Sequence, residues 1–262
     1  MSNFAKTFSS SLGKKLVMAL TGIFLCTFLI VHLVGNLQLF KDDAGQAFNA
    51  YAYFMTHFGP IKIVSYLLYA SIIIHAVYAL LLTAANKKAR PVAYAVQKGG
   101  QNSPWSSRNM GILGTILLIF IVVHMGDFWW KYHNAELPYA KYEISLENPN
   151  DLPKVSELPY DANRLVHSDI VDVQAGKQIV VSKDLYKIVN NAFQTWWYVL
   201  LYVVAMAALS FHLIHGFKSA FQTIGWNNSN LVPIIRFLGV WVFGVLIPLA
   251  FAAMPLYFFF FK

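Results

Sequence analysis

The chain has 262 residues, of which 57% are hydrophobic and 12% charged, and its formal net charge is +8. A soluble globule of this length carries roughly a quarter charged residues, so the composition excludes an ordinary soluble domain and points to the membrane. The basic residues are placed as a topology signal, and nucleic-acid binding is the weaker account of the charge.

Five apolar stretches follow one another along the chain: Leu16 to Phe40, Ile63 to Ala85, Met110 to Trp130, Trp196 to Phe217 and Phe237 to Phe261. Each has the ~20 residues that cross a hydrocarbon core of about 30 Å, and each is expected to be helical because lipid cannot satisfy an open backbone. The first follows a 15-residue head with Lys6, Lys14 and Lys15, is too long for a signal-peptide core and lacks a small-residue cleavage site, so it is expected to be retained. Between the third and fourth stretches, residues 131–192 are hydrophilic. Pro138, Pro153, Pro159 and the short run Ile179-Val180-Val181 read as a small cap with room for a hairpin, not as an independent domain. The last stretch contains Pro248 and Pro255. The expected fold is therefore all-α: residues 1–262 as one membrane domain, a bundle of five transmembrane helices with a small extramembrane insertion between the third and fourth.

With the N-terminus in the cytoplasm and alternating helices, the inner segments collect Lys6, Lys14, Lys15, Lys87, Lys88, Arg90, Lys98, Arg108, Lys218 and Arg236 and no acid. All twelve acids then fall on the outer side: Asp42, Asp43, Asp127 and nine between Glu136 and Asp184. The positive-inside preference supports that orientation, with the C-terminus outside. Trp129-Trp130 and Trp196-Trp197 sit where an interfacial aromatic belt is expected. The single cysteine, Cys26, rules out a disulfide framework or a cysteine-ligated cluster built from this chain alone.

Each of the first four helices carries a histidine at membrane depth: His32, His75, His124 and His212, the last followed by His215. One such residue is as easily a packing residue bonded to a neighbouring backbone as a functional one, whereas one on each of four helices is harder to dismiss. Depth sorts them. His32 and His124 lie late in outward-running helices, and His75 and His212 lie toward the inner ends of inward-running ones. The two pairs suit two bis-histidine haems, which have no open coordination position and serve one-electron transfer. Zinc sites want three or four ligands at one height, and proton relays usually include a mid-membrane carboxylate, which is absent here. His212 is favoured over His215 because it is deeper and better matches His75. His57, His133 and His167 read as interfacial or surface residues, with a quinone pocket the lesser role for His57. Gly22, Gly35, Gly114 and Gly216 would let a flat macrocycle approach a helix, and simple helix packing explains them equally well. Lys14, Lys15 and Arg108 at inner helix starts could pair with haem propionates, or serve only as positive-inside anchors.

The run Gly13-Lys14-Lys15-Leu16 through Ala19-Leu20-Thr21-Gly22, with Val31-His32-Leu33-Val34-Gly35-Asn36, resembles the first helix of the five-helix, two-haem cytochrome b anchors of succinate dehydrogenases and fumarate reductases. His75-Ala76-Val77-Tyr78 resembles the second helix, and Ser106-Ser107-Arg108-Asn109-Met110 with His124 the third. His212-Leu213-Ile214-His215-Gly216 with Ser219-Ala220-Phe221-Gln222-Thr223 resembles the fourth; the fifth is matched by position only. The resemblance implies two haem b groups, the inner held by the second and fourth helices and the outer by the first and third. It also implies a bacterial inner-membrane location and flavoprotein and iron-sulfur partners on the cytoplasmic face. In such a complex this chain does no succinate chemistry and passes electrons to a quinone, with menaquinone the expected one. Quinol:fumarate reduction uses the same architecture. A cytochrome b anchor of a hydrogenase or formate dehydrogenase, and a haem-free channel or transporter, are the alternatives. The length of the 131–192 insertion departs from the family pattern.

Overall fold

The structure, a computed structural model, describes residues 10–89, 103–148 and 151–262. Of the basic residues used to orient the chain, Lys6, Arg90 and Lys98 lie outside the described residues. The chain divides into two compact units. The first takes the described residues of Met1–Val31, Ser65–Phe120 and Leu201–Ala252; the second takes those of His32–Val64, Ile121–Leu200 and Ala253–Lys262.

Five helices among the described residues are long and apolar enough to cross a membrane: α1 (Ser11–Phe40), α3 (Gly59–Lys88), α4 (Met110–Asn134), α6 (Trp196–Thr223) and α7 (Leu231–Phe261). The fold is thus mostly helical and consistent with a multi-pass membrane bundle. Two shorter helices, α2 (Gln46–His57) and α5 (Leu185–Phe193), are not spans. Hydroxyls within α1 turn back onto their own helix, Thr21 donating to the Val17 carbonyl at 2.7 Å and Thr27 to that of Ile23 at 3.1 Å. This local satisfaction is what allows threonine in an apolar helix.

In the first unit, α7 departs from α-helical geometry. Residues Leu238–Leu246 form a wide π-helical stretch that ends just before Pro248. Proline has no N–H to give and its ring crowds the carbonyl four residues earlier, which here is that of Gly244. The Ser210 hydroxyl on α6 donates to that carbonyl. Close approach makes the bond possible: a Cβ on Gly244 would lie 2.4 Å from Ile214 Cγ1, and one on Gly239 would lie 3.0 Å from Phe217 Cδ1. Two glycines therefore seat α7 against α6, as small residues do between membrane helices.

The second unit holds more order than the sequence promised. Residues 139–183 form a four-stranded antiparallel sheet, β1 (Tyr139–Ser145), β2 (Lys154–Leu158), β3 (His167–Asp172) and β4 (Lys177–Lys183), in the order β2-β1-β4-β3. The expected run Ile179-Val180-Val181 lies in β4, which pairs with both β1 and β3. Ala140, Tyr142 and Val180 make its small core. Helix α2 packs on β4 and on α5. Gly35 lets α2 lie close to α1, since a Cβ there would sit 2.2 Å from Tyr51 Cε1.

At the centre of this unit is Asn49, which is fully buried. Its amide nitrogen donates to Tyr142 Oη and Asp184 Oδ1, both at 3.0 Å, and its oxygen accepts from the backbone N–H groups of Leu185 (3.0 Å) and Tyr186 (2.9 Å). One side chain thus fastens α2 to the sheet and caps the first turn of α5, whose Lys187 N–H is met by Asp184. Burial, with Asp184 nearby as a lesser cause, pushes the Tyr142 hydroxyl above the usual tyrosine range, so it stays protonated and donates in turn toward the Ala44 carbonyl. Helix α2 begins after Gly45, at φ +86°, where the Tyr186 ring leaves no room for a side chain. Lys183 at the end of β4 reaches the Tyr132 carbonyl in the last turn of α4 at 2.6 Å.

Three substitutions test these joints. Replacing Asn49 with alanine strands two part-buried N–H groups, and we expect a loss of about 1–2 kcal/mol, read as faster hydrogen exchange at the Leu185 and Tyr186 amides. Ser210→Ala should cost about 1 kcal/mol and Gly244→Val more, both measured as lowered thermal midpoints in detergent; a wild-type midpoint for Gly244→Val would show that α6 and α7 do not pack as described.

Candidate functional site

The four membrane histidines meet as two cross-helix pairs, one in each unit. In the first unit His75 of α3 faces His212 of α6, with ring centroids 6.3 Å apart and planes at 60°. In the second unit His32 of α1 faces His124 of α4, with centroids 5.7 Å apart and planes at 89°. Both pairings are those the depth argument gave. A metal-bound imidazole nitrogen lies about 2 Å from its ion, so two rings facing across one ion have centroids about 6 Å apart. Both pairs have that spacing.

Hydrogen bonds fix what one ring offers. Thr21 Oγ1 lies 3.1 Å from His75 Nδ1 and also reaches the Val17 carbonyl at 2.7 Å and that of Met18 at 3.3 Å. With the hydroxyl proton given to a carbonyl, the oxygen accepts from an Nδ1–H of His75, the tautomer that leaves Nε2 as a lone-pair donor. This is the outer partner a metal-ligating histidine normally has. Across from it, His212 Nδ1 is buried with no hydrogen-bond partner among the described residues. A buried ring nitrogen that the chain leaves unsatisfied fits a site meant to hold something more than protein.

Small residues on α1 and α4 border this pair. A Cβ on Gly22 would lie 3.5 Å from His75 Cε1, and one on Gly114 would lie 3.9 Å from His212 Cε1. Each histidine thus has a glycine backbone beside its ring. Gly216 meets nothing within 4 Å, and Gly35 is explained by Tyr51 alone. The four glycines singled out by sequence therefore divide: two border the pair and one is a packing residue.

In the second unit the Asn36 amide donates to the His32 carbonyl at 2.7 Å and stands 3.3 and 3.5 Å from the two ring nitrogens. The short bond is to the backbone, so Asn36 anchors the last turn of α1 more than it selects a tautomer. His124 closes its α-helical segment, and the π-helical stretch Met125–Trp130 follows at once. Its Phe128 ring lies 5.4 Å from the His124 ring. Asp127, also in this stretch, accepts from Lys131 Nζ at 2.7 Å and from Tyr198 Oη at 2.8 Å.

His215, half-buried one turn beyond His212, is in the first unit, as are Lys14, Lys15 and Arg108. Arg108 is exposed and donates to the Ser103 carbonyl. His133 bonds back to the Trp129 carbonyl at 2.8 Å, as an interfacial residue would. His57 and His167, separated by 110 positions in the chain, both stack on Tyr53, at 4.2 and 4.7 Å between centroids. Nothing in the sequence marked that contact, because it depends on the sheet. Burial lowers the affinity of His167 for a proton, and Ser182 Oγ sits 2.5 Å from its Nδ1.

Among the described residues no group of three or more His, Cys, Asp or Glu is placed to share a metal ion. The donor set is two imidazoles per pair, which suits an ion that brings further ligands of its own and does not suit bare zinc. Comparison with protein-family models, with curated proteins and with solved structures finds no match to this chain.

The Thr21 bond is open to direct test. In Thr21→Val, nitrogen NMR of the labelled imidazole should show His75 losing its preference for the Nδ1–H tautomer, and affinity for any metal group held by that ring should fall about 10- to 100-fold. An unchanged tautomer would assign its control to another group.

Proposed function

We propose that the chain is a two-haem cytochrome b, the membrane anchor and electron-transfer subunit of a succinate:quinone oxidoreductase. The single observation that carries the reading is the meeting of four membrane histidines as two cross-helix pairs, with ring centroids 6.3 and 5.7 Å apart. His75 and His212 would hold one haem b, with His215 the alternative to His212, and His32 and His124 would hold the other. When bound, such a group supplies reversible one-electron chemistry at an iron with no free position.

The residues of this chain supply the rest. Thr21 keeps the Nδ1 proton of His75 in place so that its Nε2 remains a donor. The Gly22 and Gly114 backbones leave room for a flat ring beside the pair. Lys14, Lys15 and Arg108, in the same unit, would offer cations to carboxylate substituents. The apolar helices exclude water and keep the imidazoles neutral, which a metal ligand must be.

The family resemblance extends the proposal to partners and direction: electrons from succinate, delivered by flavoprotein and iron-sulfur subunits to a cytoplasmic face, and passed to menaquinone. The N-terminus would be cytoplasmic and the membrane a bacterial inner membrane. Quinol:fumarate reduction is the same architecture run in reverse, and an anchor for another dehydrogenase would keep the ligands but not the motifs.

Haem content of the purified chain, with a reduced-minus-oxidised spectrum, is the deciding measurement. Two b-type haems per chain are expected. His32→Ala and His124→Ala should each remove the same haem, and His75→Ala and His212→Ala the other; a normal spectrum in His212→Ala would transfer the role to His215. A correctly folded preparation with no haem would leave a channel or transporter as the better account.

A further inference from the structure

Asp127 is the one acidic residue within the five membrane spans. It stands three residues beyond His124, about one helical turn from a proposed ligand. Its side chain is 31% exposed and is held at both oxygens, by Lys131 from its own helix and by Tyr198 from α6. Lys131, at 47% exposure, sits four residues on, an ordinary helix-surface pairing. The Tyr198 bond is different in kind. Tyr198 is buried, comes from another span, and lies against Phe193, whose ring in turn contacts Phe128, the neighbour of His124. A surface ion pair needs no buried phenol from a second helix to hold it. Here the phenol holds one carboxylate oxygen in place, and a chain of ring contacts runs from that phenol to the His124 ring.

We propose that Asp127 is a charge-setting residue for the group held by His32 and His124: its fixed negative charge makes that group harder to reduce, and Lys131 offsets part of the effect. Adding an electron beside an anion in a poorly screened environment is unfavourable, and the penalty falls off with distance. The His75 and His212 pair has no acid on its own spans, so the effect is specific to one pair. This inference rests on the haem reading of the two pairs.

The test is a spectroscopic redox titration of the purified, haem-loaded protein, in which each haem has been identified by its loss in the histidine variants. Asp127→Asn keeps an acceptor for Tyr198 and removes the charge. It should raise the reduced-to-oxidised ratio of the His32/His124 haem at fixed ambient potential by about threefold or more, which at 59 mV per tenfold is roughly 28 mV. Lys131→Met should shift the same haem the opposite way, and Asp127→Glu should leave it near the wild-type value. Two haems with unmoved potentials in Asp127→Asn and Lys131→Met would overturn the inference and leave the haem reading intact, as would an equal shift of both haems. Absence of haem from the wild type would instead overturn the reading itself.

Discussion

A polar group inside a bilayer has no water to bond with, so it must be met by the protein or by something the protein holds, and the departure of α7 from plain helix can be traced to that constraint. The clearest case is α7. Pro248 cannot serve the Gly244 carbonyl, the helix widens over Leu238–Leu246, and the Ser210 hydroxyl takes the freed acceptor. Ser210 can reach because Gly244 carries no side chain to push Ile214 away. The same rule governs the histidines. Thr21 meets one nitrogen of His75 and also reaches the Val17 carbonyl, whereas His212 Nδ1 has no hydrogen-bond partner among the described residues. That unsatisfied atom falls where a bound group is proposed.

Outside the spans the constraint weakens but does not vanish. Asn49 is buried among groups that would each be costly alone: a phenol, a carboxylate and two N–H groups opening a helix. It satisfies all four, and so joins three elements that are far apart in sequence. The sheet and helices α2 and α5 are held as one body by polar bonds around a small apolar core, in contrast to the spans, where small residues and van der Waals contact dominate.

The spans were legible because apolar length is a direct physical requirement of the bilayer. The histidine pairing was legible because helix direction and position convert sequence number to depth. What escaped depends on contacts between distant segments. The insertion read as a cap with a hairpin, yet it forms four strands, since Tyr139–Ser145 shows only part of an alternating pattern and gains its partners on both sides from residues 154–158 and 177–183. Helix α2 went unread because Gln46–His57 is too short and too polar to resemble a span. Pro248 was noted as an interior proline, but the widened helix it accompanies needs Ser210 from another segment to be understood. Gly35 and Gly22 look alike in the motif of α1, and only the neighbouring side chains, Tyr51 for one and His75 for the other, separate packing from site.

Four histidines on four helices are compatible with one four-ligand metal site or with two two-ligand sites, and the choice matters for function. A single zinc would draw all four imidazoles to one point. Instead the rings come together two by two, His75 with His212 and His32 with His124, in separate compact units, and no third ligand type joins either pair among the described residues. Their surroundings differ as well. One pair has a hydroxyl partner and two bordering glycines, and the other has a backbone-anchored amide, an aromatic neighbour and a carboxylate one turn away. Under the proposed reading, two like centres in unlike surroundings would differ in electron affinity, because the protein's levers on a bound metal are its ligands, their hydrogen bonds and the nearby charge. With the same two imidazoles at each proposed centre, the difference would come from the second and third of these, so that the partners of the ligands, more than the ligands themselves, would set it.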